Sequence, residues 1–209
     1  MKIAVICSNG KVGKMVVAEA QAAGLDVTGF ARSENKSGAQ SFVQKDVFAL
    51  TAADLAGFDV VVDAFGTWTS DTVGQIAAAA EHLCHLLAGT KTRLVVVGGA
   101  GSLYVNKKHT MTVADSPDFP DMYKPVAAAH QKALDFLRTQ NNVLWTYISP
   151  AADFQADAPK TGTWIWAGED FTLNGKGESI ISYADYAAAL VEEITKGNNV
   201  QKRISVVRA

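Results

Sequence analysis

The segment Lys2–Gly13, Lys-Ile-Ala-Val-Ile-Cys-Ser-Asn-Gly-Lys-Val-Gly, restricts the fold of this chain more than any other stretch. Ile3-Ala4-Val5-Ile6 is an unbroken apolar run that stops at small turn formers, the pattern of a parallel strand buried on both faces. From Lys11 the apolar period becomes helical, with Val12, Met15, Val16 and Ala20 on one face. Strand therefore passes to helix across Ser8-Asn9-Gly10. Glycine there lets the backbone turn sharply and approach a ligand with no Cβ in the way, while the first helical turn offers unpaired N–H groups to an anion. With a second strand following, this is the arrangement that holds a dinucleotide diphosphate, and Ser8, Asn9, Gly10, Lys11, Val12 and Gly13 form its candidate cradle. Position 7, where a GxxGxxG pattern opens on glycine, is Cys7. Cysteine fits there if its φ is negative, and binding should suffer if the phosphates lie close against it.

The next signals follow the order of a dinucleotide fold. Asp26–Ala31 reads as the second strand, and its end carries Arg32-Ser33 and no acid. An acid at this point would grip the ribose hydroxyls of NAD, whereas an arginine can pair with the 2′-phosphate of NADP, so the chain leans towards NADP(H). The bland alternative is a solvated arginine. Residues 40–44 form a short strand, and Lys45-Asp46-Val47 follows where an adenine would lie. Asp46 there either accepts from the adenine amino group, with Val47 over the ring face, or caps the turn into residues 51–55. Residues 58–63 make another strand ending in Ala64-Phe65-Gly66-Thr67-Trp68, small enough at Ala64 and Gly66 for an adenosine to pass close to the backbone beside Phe65. A long helix is expected over 71–87, with Val73, Ile76, Ala80, Leu83 and Leu87 inward.

Strand 92–97 ends in a second glycine cluster, Gly98-Gly99-Ala100-Gly101, with Ser102 just beyond it. Residues 103–122 form a long polar loop, of the kind that is usually functional or disordered. A helix over 126–139 brings His130 and Lys132, and strand 144–149 closes on Pro150. Alternating strands and helices predict an α/β fold, a Rossmann-like doubly wound parallel sheet whose ligands sit at the carboxyl ends of the strands. Residues 1–209 read as one NAD(P)-binding domain, with 151–181 as a small C-terminal lobe over the crevice. Within that lobe, 161–173 has a hairpin-like pattern closed by Asn174-Gly175-Lys176-Gly177. Ser182 opens a last helix over 183–194, anchored by Tyr183, Tyr186 and Asp185, and 203–207 is the final strand.

A net charge of −2 gives no electrostatic reason to expect nucleic acid or an anionic membrane, so the expected partner is a small molecule. Apolar runs such as Leu94–Val97 are far shorter than a membrane span, and the chain reads as cytoplasmic. Cys7 and Cys84 suggest no disulfide framework. His82 and His85 flank Cys84 on an alanine- and leucine-rich helix with no further ligand, which favours packing over a metal site. The oligomeric state is left open.

Four segments, in order, resemble the atypical short-chain dehydrogenase/reductase proteins: Asn9–Gly13 after the opening strand, Val95–Tyr104, Leu144–Ala152 and Ile181–Ala187. Within them the chain is most similar to bacterial NADH-flavin reductases, which are related to NmrA-like proteins and biliverdin/flavin reductases. The resemblance implies a Rossmann-like core and bound NAD(P)H. It does not bring the YxxxK pair, whose tyrosine handles the proton and whose lysine lowers the tyrosine's pKa. Tyr123 is followed four residues later by Ala127, and His130 stands near the place of the lysine with Val126 four before it.

Alcohol–ketone interconversion is therefore disfavoured. Hydride transfer to a flavin, quinone or similar planar acceptor asks less of the protein, because the acceptor ring is electron-poor and solvent can deliver the proton. In that reading Ser102 orients the acceptor, His130 can donate a proton, Gly98 and Gly99 open onto the crevice, and Ser149, Pro150, Ala151 and Ala152 receive the nicotinamide. Phe65, Trp68, Phe154 and Trp166 are candidate apolar walls. Each has a plainer counterpart: Ser102 as a turn cap, His130 as a partly exposed helix residue, Trp164 and Trp166 as core packing. The rival function is a non-catalytic NmrA-like NADP-binding redox sensor. An epimerase or dehydratase is a third, and it would normally need the missing tyrosine.

Overall fold

Short apolar runs that alternate with amphipathic helices set the layering. The computed structural model describes residues 1–209. The chain runs β1 (Lys2–Ile6), α1 (Lys11–Ala22), β2 (Asp26–Ala31), β3 (Ser41–Gln44), α2 (Ala52–Leu55), β4 (Val60–Asp63), α3 (Gln75–Leu87) and β5 (Arg93–Val97). It continues through α4 (Lys124–Arg138), β6 (Leu144–Ser149), β7 (Asp153–Gln155), β8 (Trp164–Ala167), β9 (Ile180–Ser182), α5 (Tyr183–Lys196) and β10 (Lys202–Arg208). Eight strands form one sheet in the order β3-β2-β1-β4-β5-β6-β10-β8, parallel except where β8 joins β10. The chain winds outward one way from β1 to β3 and the other way from β4 onward. That reversal opens a crevice at the carboxyl ends of β1 and β4.

Strand alternation divides the core into two layers. Ile3 and Val5 face α1 and α5, whereas Ala4 and Ile6 face α3 and α4. The sheet is thus covered on both sides, as a parallel sheet of near-continuous valine, isoleucine and leucine requires. The Rossmann-like doubly wound architecture read from the sequence is the one observed.

Several boundaries differ from expectation. The inner face of α1 is Gly13, Val16, Val17 and Ala20, while Met15 is 38% exposed. Helix α3 starts at Gln75 rather than 71, because the hydroxyls of Thr67, Thr69 and Thr72 hydrogen-bond to one another and hold the preceding turns. The hairpin expected within 161–173 does not form. Trp164–Ala167 instead pairs antiparallel with β10, which supplies a free edge, and both tryptophan rings pack on the core beneath α1 and α5. β7 and β9 make a separate two-stranded parallel ladder.

The last helix is anchored as expected. Asp185, fully buried, accepts from the Thr161 and Gly162 N–H groups at 2.9 and 2.8 Å, and Tyr186 donates to the Ile148 carbonyl at 2.7 Å. At the opposite end of the sheet, the Arg93 guanidinium and the Glu193 carboxylate form a buried ion pair at 2.5 Å. Thr146 Oγ1, the Glu193 carbonyl and the N–H, carbonyl and side-chain amide of Asn199 complete that network. No helix is long and apolar enough to cross a membrane. His82 Nε2 bonds the Leu50 carbonyl and His85 packs edge-on against Phe136, so both histidines serve packing.

Candidate dinucleotide site

The glycine turn is built from backbone. Gly10 N–H donates to the Cys7 carbonyl at 2.9 Å, and Gly10 is the N-cap of α1 with no side chain capping the helix. The N–H groups of Lys11, Val12 and Gly13 consequently have no partner within the chain, and they carry the positive end of the helix dipole. Gly13 is required by packing. A Cβ there would lie 2.6 Å from the Cys7 carbonyl oxygen and 2.9 Å from Ser8 Cα, so only glycine lets α1 sit this close to the turn. Ser8 is fully buried and hydrogen-bonds the Phe30 carbonyl through both N–H and Oγ, tying the turn to β2 rather than facing the crevice.

Cys7 departs from expectation. Its φ is +59°, the left-handed region that glycine normally fills, because the chain must bend there for the Cys7 carbonyl to meet Gly10. An L-residue pays about 1–2 kcal/mol for that conformation. Burial, and then the nearby Asp63 and Asp46 carboxylates, push the thiol up to about 12, so it stays neutral and brings no negative charge towards a phosphate.

A cavity of about 360 Å³ opens over the turn. Of the expected contacts it is lined by Asn9, Gly10, Arg32, Ser33, Asp46, Val47, Ala64, Phe65 and Gly66, with Cys7 beside them. The Asn9 side chain is occupied, donating to Ser33 Oγ (3.1 Å) and the Glu34 carbonyl (2.8 Å) while accepting from Lys36 N–H (2.8 Å). Asn9 therefore clamps the loop that presents Arg32, whose own guanidinium is exposed on the cavity wall. Asp46 accepts from Phe48 N–H at 2.9 Å and caps the short turn Val47–Ala49; α2 has its own cap, Thr51 with Asp54. Phe48, not singled out in the sequence, packs edge-on to Phe65 with centroids 6.1 Å apart at the cavity.

Asp63 was also missed. It ends β4 beside Ile6, is 3% exposed, and accepts from Phe65 N–H at 3.0 Å. Burial pushes its carboxyl up to about 7, and that hydrogen bond only partly offsets the shift. Between about pH 4 and 7 the folded protein holds a proton that the unfolded chain has released, so this group makes stability fall as pH rises through that window. Asp63→Asn keeps the oxygen that accepts from Phe65 and removes the charge. We expect thermal melts at pH 8 to rise by roughly 2–4 °C, with the slope between pH 4 and 7 flattened; a lower melting temperature at pH 8 would contradict the assignment.

The second half of the crevice lies at the carboxyl ends of β5 and β6. The space that side chains at Gly98 and Gly99 would take is filled by protein: the Tyr147 ring stands 2.3 Å from a Cβ built on Gly98, and the His130 ring 3.0 Å from one on Gly99. These glycines admit Tyr147 and His130 to the strand end. Tyr147, fully buried, accepts from Gly99 N–H at 3.0 Å, and its hydroxyl meets His130 Nδ1 at 3.3 Å. Burial pulls His130 down to about 4, which favours the neutral ring near pH 7.

Ser102 is 4% exposed and Ser149 fully buried, and neither hydroxyl has a hydrogen-bond partner. Pro150 and Ala151 are buried, and Ala152 N–H donates to Ser179 Oγ at 3.2 Å. Of the expected walls, Trp68 is 69% exposed and packs edge-on to Tyr123 at 5.9 Å, and Phe154 packs on Tyr183 and Tyr186. Trp166 belongs to the edge strand β8, three strands from β5, and walls no part of the crevice. A second depression of about 390 Å³, with Trp145 as its single apolar lining residue, lies on the flank around Arg138 and Glu169.

Free helix-start amides, a glycine that must lack Cβ and a cavity leading to an exposed arginine fit a phosphate-bearing dinucleotide. Known proteins agree. YwnB of Bacillus subtilis is 38% identical over 209 residues, covering 99% of this chain and 98% of that protein. The crystal structure of SP1627 from Streptococcus pneumoniae, named a "putative NADH-flavin reductase", is 53% identical with a TM-score of 0.98 and covers 100% of both chains. A Lactobacillus casei protein, 29% identical over 100% of both chains, has a TM-score of 0.89. The NAD(P)H-binding family profile matches residues 8–196, which contain most of the cavity lining and both glycine-bearing strand ends, and the chain accordingly belongs to the NAD(P)H-binding family.

Proposed function

We propose that the protein is an NAD(P)H-dependent oxidoreductase, built from residues 1–209 as one unit, that reduces a flavin, quinone or similar planar acceptor and prefers NADPH. The observation that carries this reading is the pairing of two features along one crevice. Unpartnered amides at Lys11–Gly13 and a free arginine stand at one end, and the unpartnered Ser102 hydroxyl lies in the loop that follows β5. The nicotinamide supplies the hydride when bound. The amides of α1 hold the diphosphate, Arg32 and Ser33 pair with the 2′-phosphate, and Ser102 orients the acceptor. With His130 neutral and no YxxxK tyrosine, the proton comes from solvent, and His130 serves to hold Tyr147 against Gly99.

The name of the pneumococcal relative supports a flavin as acceptor; the preference for NADPH rests on Arg32 alone. Stopped-flow oxidation of NADPH and NADH against FMN, FAD and a set of quinones tests the reaction, and calorimetric titration tests the preference. Arg32→Ala should weaken NADPH about tenfold, near 1.4 kcal/mol, and leave NADH unchanged. An unchanged NADPH-to-NADH ratio removes Arg32 from the site. Equal binding of NADP⁺ and NADPH without turnover on any acceptor, together with a co-purifying protein, favours the sensor reading that the missing YxxxK pair also permits.

A further inference from the structure

Three buried side-chain atoms lack a hydrogen-bond partner in the whole chain: Ser102 Oγ, Ser149 Oγ and Arg203 Nη1. They belong to adjoining elements. Ser149 ends β6, Arg203 lies on the neighbouring β10 opposite Tyr147, and Arg203 Nη2 donates to the Ser102 carbonyl at 3.2 Å. The Arg203 side chain has no solvent exposure. Its Nε and Nη2 both donate to one oxygen of Glu169, at 2.8 and 2.5 Å, and its guanidinium carbon lies 5.8 Å from the centre of the Tyr104 ring. Tyr104 exchanges backbone hydrogen bonds with residues 169 and 171, so one guanidinium joins the turn that carries Ser102 to the loop around Glu169.

A buried cation gripping a carbonyl, two loops and an aromatic face fixes their mutual position, because its planar fork has few alternative arrangements. The part of the serine it grips is the backbone, which leaves the hydroxyl free for a ligand. We propose that Arg203 is the positioning residue for Ser102, holding its hydroxyl in register with the acceptor. This deepens the reductase reading and rests on it.

A double-mutant cycle tests the coupling. Arg203→Met should lower kcat about 10- to 100-fold while KM for NADPH stays within about twofold, since the cavity at β1 and β4 is remote from β10. Arg203→Lys, which keeps the charge and loses the fork, should recover part of kcat. In a Ser102→Ala background, Arg203→Met should cost less than about twofold further. Glu169→Gln, at a carboxylate 34% exposed, is the companion variant if Arg203→Met does not fold, with a smaller kcat loss that is likewise absent in Ser102→Ala. Equal losses in both backgrounds, or a rise in KM for NADPH matching the fall in kcat, would overturn the assignment while leaving the reductase reading intact. A wild-type protein that oxidises NADPH against none of the flavins or quinones removes the foundation of both, whereas full activity in Ser102→Ala removes the assignment alone.

Discussion

Glu193→Ala should destabilise the protein by about 3–5 kcal/mol, the cost of leaving a buried guanidinium without its counter-charge. Glu193 is 3% and Arg93 7% exposed, and the carboxylate also accepts from both the backbone and side-chain amide of Asn199, so one truncation strands several donors at once. The network joins β5 and β6 to the end of α5, and local relaxation cannot bring water to all of it. The double substitution Arg93→Met with Glu193→Leu removes both charges and should return most of the loss, because a well-packed apolar pair often matches a buried ion pair in stability. Urea denaturation of the three variants measures this. A loss below about 1 kcal/mol for Glu193→Ala, the range of exposed pairs, would show that the site is wetter than its burial implies.

The second large effect is on binding. Gly13→Ala places a methyl 2.6 Å from the Cys7 carbonyl oxygen, and both nearest neighbours are backbone atoms, so the turn or the helix must shift. Either shift misaligns the free amides of Lys11–Gly13. Affinity for NADPH and NADH alike should fall about 100-fold or more, roughly 2.7 kcal/mol, in contrast to Arg32→Ala, which changes only their ratio. Isothermal titration with both nucleotides separates the two. Retained affinity within about threefold would mean that the diphosphate is held elsewhere.

Much of this was legible because it is local. The strands β1, β4 and β5 are built on short apolar runs with little tolerance for another reading, and the switch to helical spacing at Lys11 marks the site before any tertiary information exists. What could not be read depends on partners far along the chain. The pattern of Trp164 and Trp166 correctly placed both rings on one face, yet only β10, some forty residues later, makes the segment an edge strand of the main sheet rather than half of a hairpin. Glycines 98 and 99 were read as opening onto the crevice; that Tyr147 of β6 and His130 of α4 fill the space beside them depends on packing between elements far apart in sequence. The positive φ of Cys7 had no signature beyond its place in the glycine pattern. Asn9 was read as a phosphate contact because of where it stands, and its side chain is committed to the Ser33–Lys36 loop instead. Arg203 carried no signal, since it meets Ser102 across 101 residues of sequence.

The placement of β10 between β6 and β8 bears on how the molecule is made. Synthesis delivers both neighbours long before the strand that separates them, so until residue 208 emerges the nascent sheet exposes two unpaired edges with a gap the width of one strand. Premature termination anywhere in 197–202 would therefore yield a chain with β1 to β6 assembled and β8 left without its partner, a species for chaperones and proteases to meet.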